Sequence, residues 1–194
     1  SYHVAFEAAL LLRIVQVPAE QRMILHETRQ AREKVVSSVE RMFKGQISLA
    51  QARGAGLQYY DELLLRLRST GPGFWADRWL VEQAPELRGF QAALLQSHVH
   101  DNLFCLEAEV ERLTPTAVLQ ATRAISAACA FHAAELLGIP TLTIPYQAAG
   151  FEALARELIT ITRAEPTTAD PDREIVDAWA EKLGLTRWYV WKTP

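Results

Sequence analysis

Cysteine is scarce in this 194-residue chain: Cys105 and Cys129 are the only two, and they match no zinc-ribbon spacing. That excludes a disulfide scaffold, and two reduced thiols suit a cytoplasmic protein, the expected location. Neither sign of charge dominates. Twenty Lys+Arg against 23 Asp+Glu leave a net charge of −3, so no basic excess drives nonspecific phosphate binding. No charge-free run of about 18 apolar residues occurs, and no membrane span is expected. Residues 5–17 are apolar, but Glu7 and Arg13 interrupt them, and the basic start and cleavage pattern of a secretion signal are missing. Internal repeats and low-complexity tracts are missing too. So are the Walker A, G-x-G-x-x-G, H-E-x-x-H and G-x-S-x-G motifs. This removes the familiar nucleotide, zincin and hydrolase readings at motif level and leaves open whether the chain is an enzyme.

What is present is a chain 49% hydrophobic and 22% charged, long enough to bury a full core. Its apolar residues recur mostly at helical spacing. Residues 2–16 read as an apolar helix stopped at Val17-Pro18. Pro18 then opens a predicted long helix to about Lys44. Ser48 and Gln51 form a capping box for a helix to about Ser69. Thr70-Gly71-Pro72-Gly73 reads as a loop, followed by a short helix over 74–83 that carries Trp75 and Trp79. A long helix apolar on two sides is expected from Ala84-Pro85 to Leu113. An Ala-rich one follows from Pro115 to Leu137, ending at Gly138.

Residues 139–146 are β-branched and bracketed by prolines, which predicts an extended segment. Helix returns over 147–163 and, after a linker at 165–171, over 171–183. The tail around 185–191 has β and aromatic character. The expected fold is therefore mainly α: an antiparallel bundle of about six or seven helices, with minor extended elements near 139–146 and 185–191. Residues 1–164 would form the bundle, and 165–194 a linker, short helix and aromatic appendage.

One constellation offers chemistry. His98 and Asp101 share a side of one long helix, and His132 and Glu135 a side of the next. If these helices fold back at Thr114, His98 comes level with His132. Imidazoles and carboxylates on facing helices suit Zn, Fe or Mn, and so a metal-dependent enzyme. The plainer alternative is a buried His132–Asp101 hydrogen bond that fixes helix register, with both cysteines as small fillers. Arg32 projects into an apolar stripe, where its head either pairs with a carboxylate or binds an anion.

The leading functional expectation is a non-catalytic helical protein working through protein–protein contacts, as an accessory subunit or homo-oligomer. Trp188, Tyr189 and Trp191 supply the residue types that anchor interfaces. The metal-dependent enzyme is the first alternative. The second is nucleic-acid association through the basic helix 18–44. There Glu27, Glu33 and Glu40 intersperse the Arg and Lys residues, so a solvated ion-pair surface explains the pattern better.

Overall fold

Proline and glycine set several of the boundaries in the computed structural model, which describes residues 2–194. Helix α1 (Tyr2–Gln16) stops before Val17-Pro18. The expected long helix 18–44 does not follow. A short turn of 3₁₀ helix leads into strand β1 (Ile24–Glu27), and α2 (Arg29–Met42) begins only after an extended Thr28. The reason is a partner far along the chain. Strand β2 (Tyr189–Lys192) pairs antiparallel with β1, Ile24 opposite Lys192 and Glu27 opposite Tyr189. Ladder bonds from the tail outweigh the weak helical preference of four residues.

Helix α3 (Leu49–Gln83) opens on the expected capping box: Ser48 Oγ accepts from the Gln51 backbone, and the Gln51 side chain answers the Ser48 N–H. It then runs unbroken through Gly71-Pro72-Gly73, where the sequence predicts a loop. All three residues are buried. A β carbon on Gly71 would lie 2.5 Å from Ile175 Cγ2, so the missing side chain lets another helix pack against the proline turn. Packing there holds a helix that local propensity opposes.

The single helix expected over 84–113 is broken into α4 (Arg88–Asp101), a 3₁₀ turn over Asn102–Leu106, and α5 (Ala108–Leu113). Two arginines hold the break. Arg66 donates to Asn102 Oδ1 at 3.1 Å, and Arg123 Nε donates to the Cys105 carbonyl at 2.8 Å. That carbonyl is thereby satisfied outside a helical ladder.

Helix α6 (Thr116–Leu137) ends at Gly138 with φ +72°, as its sequence predicts. The stretch expected to be extended, 139–146, is instead a 3₁₀ turn and helix α7 (Ile144–Ala148). Pro140 and Pro145 sit in first turns, where a missing N–H costs nothing, rather than bracketing a strand. Helix α8 (Glu152–Arg163) and α9 (Pro171–Leu183) complete the chain, α9 capped by Asp170 and ended by Gly184.

The fold is a mainly α bundle with one two-stranded sheet. The core surrounds α6, which packs on α3, α4 and α8. Ile125 and Phe131 of α6 meet Leu63, Leu67 and Phe74 of α3, Leu158 of α8 and Trp179 of α9 in one buried cluster. The segment read as an appendage contributes Trp179, Leu185 and Tyr189 to that cluster.

Candidate functional site

The four candidate metal ligands do not meet. Because α4 ends at Asp101, the expected pairing of two long helices is lost. His98 and Asp101 face water at the end of α4, and among the described residues Asp101 accepts only from Ser97 Oγ. Glu135 is exposed and paired with Arg163 of α8. Among the described residues no group of three or more His, Cys, Asp or Glu is placed to hold a metal ion. His132 alone is buried, and it turns toward α3 rather than α4. Its ring stacks on Phe74, centroids 4.1 Å apart and 12° from parallel. Its Nε2 lies 3.3 Å from Asp77 Oδ2, close enough for an ion-pair contact but off line for a hydrogen bond.

Asp77 is the buried carboxylate of the molecule's central polar network, and the sequence reading passed over it. The Tyr2 hydroxyl donates to its Oδ1 at 2.5 Å. Gln91 Nε2 donates to its backbone carbonyl at 2.8 Å and to Oδ1 at 3.3 Å. Burial, with the charge of Asp77 beside it, pushes the Tyr2 phenol far above its ordinary range and keeps it a donor. One signal was available: Asp77 is a lone acid among Phe74, Trp75, Ala76, Trp79 and Leu80. Four elements converge on it, namely α1, α3, α4 and α6, so the network fixes their relative positions.

Helix α1 depends on this network for its attachment. Its buried side is poor in large apolar groups: Tyr2, Ala9 and Arg13 are its fully buried residues, with Phe6 and Leu10 partly covered. Polar bonds hold both ends. Tyr2 is tied to Asp77. Arg13 sends Nε and Nη2 to Asp172 Oδ1 at 2.6 and 2.5 Å, and its guanidinium lies 4.6 Å over the Trp75 ring.

The outer side of α1 is apolar and open to water. Val4 is 66% exposed, Leu11 59% and Val15 60%, and Leu12 and Ile14 are also exposed. With Ala8, three of these form a stripe, Val4-Ala8-Leu11-Val15, confined to an arc of about 60° at 100° per residue. Glu7 and His3 flank it, and no Lys or Arg lies on that face. Apolar composition alone marks residues 2–16 as a helix without separating its two faces. The 4-3-4 spacing of the stripe was the signal.

The tail aromatics are engaged within the chain. Trp188 stacks on Tyr60 at 5.5 Å and 9°, and the Tyr60 hydroxyl donates to the Trp188 carbonyl. Tyr189 Oη and Trp191 Nε1 both donate to Asp177 Oδ1, at 2.6 and 2.7 Å. The anion that Arg32 meets is Glu27 of the same chain, at 2.6 Å from Nη1. Cys105 and Cys129 are free thiols, pushed up by burial, Cys129 to about 12.

A groove of about 1030 Å³ separates α2 from the start of α6. Lys34, Arg41 and Lys44 line it together with Trp188 and Pro115, so these cations share one groove although the sequence reading found no single stripe. Glu33 and Glu40 also line it, but both are taken by Arg53. Among the described residues no helix is long and apolar enough to cross a membrane. Comparison with known proteins finds no matching family model, no matching curated protein and no matching solved structure.

Proposed function

We propose that this chain is a non-catalytic helical protein that works through protein–protein contacts, as an accessory subunit or homo-oligomer, and that α1 is its contacting element. One observation carries the reading. Five large apolar side chains of a fifteen-residue helix face water, while polar bonds at Tyr2 and Arg13 fix the opposite side to the bundle. A contiguous apolar patch marks a binding surface far more often than scattered single residues do. Rigid anchoring adds to this, because a helix already held in place loses little freedom on binding. A membrane-surface helix would set Lys and Arg around its apolar face, and α1 has neither there.

Photo-crosslinking in the cells that make the protein tests the reading. A benzophenone side chain at Leu11 or Val15 is expected to capture a protein. The same group on the exposed face of α3, at Glu62, is expected to capture none. Absence of adducts at both α1 positions overturns the proposal.

A second reading rests on the α2–α6 groove, whose cations Lys34 and Lys44 hold no carboxylate among the described residues. Such a groove suits a polyanion, with Trp188 available for stacking against a base. Retention on single-stranded nucleic acid that weakens with salt, and that is lost in the Lys34→Gln/Arg41→Gln variant, would support it. Salt-independent or absent retention removes it.

A further inference from the structure

We infer that α1 docks on α1 of a second copy of this chain, antiparallel about a two-fold axis. Val4 then packs against the second copy's Val15, and Ala8 against the second copy's Leu11. The inference rests on the reading of α1 as the contacting element and names its partner.

The spacing of the stripe carries the argument. A two-fold contact places one surface against itself, so the surface must map onto itself when reversed. The positions 4, 8, 11 and 15 are separated by four, three and four residues. This order reads the same in both directions. Reversal exchanges Val4 with Val15 and Ala8 with Leu11, leaving no stripe residue without a counterpart. The same spacing is two heptads of alternating core positions, the repeat that lets two helices interlock.

Size complementarity selects the direction. Antiparallel pairing sets the small Ala8 against the large Leu11 twice, so each leucine enters the space the alanine leaves. Parallel pairing would set Ala8 against Ala8 and Leu11 against Leu11, a gap beside a crowd. The helix dipoles also oppose one another in the antiparallel arrangement. Charge favours no different partner: among the described residues Glu7 is the one carboxylate beside the stripe, and Arg13 is turned inward and neutralised by Asp172.

The contact is short. A fifteen-residue helix spans about 22 Å, which yields less than the roughly 800 Å² per partner of a standard stable complex. The dimer therefore forms reversibly, with dissociation in the micromolar range or weaker.

Sedimentation velocity on the whole chain, over about 5 to 500 µM, tests this. Wild type is expected to pass from monomer to dimer across the series. Leu11→Glu buries an unpaired charge in the seam and should weaken pairing by about tenfold or more, with helicity, and melting at dilutions where wild type is monomeric, unchanged because Leu11 is 59% exposed. Ala8→Lys should do the same. Mixed together, the two variants should recover the dimer. In the antiparallel register alone, the introduced lysine of one chain faces the introduced carboxylate of the other, and the leucine kept by the first faces the alanine kept by the second. A wild-type chain that stays monomeric throughout, a dimer that survives Leu11→Glu, or a mixture that fails to pair overturns the inference. Monomeric protein with Leu11 crosslinked to some other protein overturns the inference and leaves the function standing. Monomeric protein with no crosslink overturns both.

Discussion

Asp77 shows how far a single side chain governs this fold. It accepts from Tyr2 and Gln91 and sits 3.3 Å from His132, so its removal strands the Tyr2 hydroxyl and takes a contact from helices α4 and α6. Asp77→Ala is expected to cost about 1–3 kcal/mol, the usual penalty for leaving a buried donor unsatisfied. Tyr2→Phe, which removes one donor and keeps the ring, is expected to cost about 1–3 kcal/mol. Urea unfolding midpoints at constant slope measure both. At this scale the sequence was half legible. The burial of His132 followed from its apolar helical neighbours, whereas its partner did not. Two residues 55 positions apart meet only because α3 and α6 pack side by side, and nothing local to either encodes that meeting. Of the two partners open to Arg32, a carboxylate or a free anion, the structure shows its head on the Glu27 carboxylate.

The helix ends marked by a capping side chain or a terminal glycine were the most legible elements. The Ser48 capping box and the terminal Gly138 and Gly184 all use a local rule that neighbours cannot override. Misread elements are those that a distant segment decides: β1 through the tail, and the Gly71-Pro72-Gly73 turn of α3 through Ile175 and Trp179 of α9. The contact of α2 with α3 gives a paired prediction. A β carbon on Gly56 would lie 2.7 Å from the α carbon of Val36, and that backbone cannot step aside, whereas Gly54 has open space around it. Gly54→Ala is expected to stabilise by about 1 kcal/mol through helix propensity, and Gly56→Ala to destabilise by about 1–3 kcal/mol through overpacking. Thermal melts of the two variants, one rising and one falling, check this.

The turn between α8 and α9 carries a pH dependence. Hydrogen bonds from the Thr167 hydroxyl, and from the Thr167 and Thr168 backbone, hold the Glu174 carboxyl below its ordinary value of 4.5. A carboxyl depressed in the folded state contributes fully above 4.5, and that contribution is lost as pH falls through the depressed value. Protection of the Thr167 and Thr168 amides, measured against their intrinsic exchange rate at the same pH, should therefore fall at acid pH. In Glu174→Gln that protection should be low throughout and insensitive to pH in that window.

For the molecule as a whole, the helical class was legible because most of the chain repeats at helical spacing and sheet signals are few. The role of the tail was not, since composition tells that Trp188 and Tyr189 need cover but not which surface supplies it. Here the cover is Tyr60 and Asp177 of the same chain. Removing residues 185–194 is thus expected to lower stability by about 3 kcal/mol or more, through the lost Leu185, Trp188 and Tyr189 packing. A calorimetric scan of the truncated chain reads that loss directly. The pairing of Ile24 with Lys192 has a further result for biogenesis. A ribosome delivers the chain from its N-terminus, so β1 waits, with its hydrogen-bonding edge open, until Tyr189–Lys192 has been translated. Closure of the sheet then follows the emergence of α1 to α9, and a product terminated before β2 leaves that edge bare to proteases and to other nascent chains.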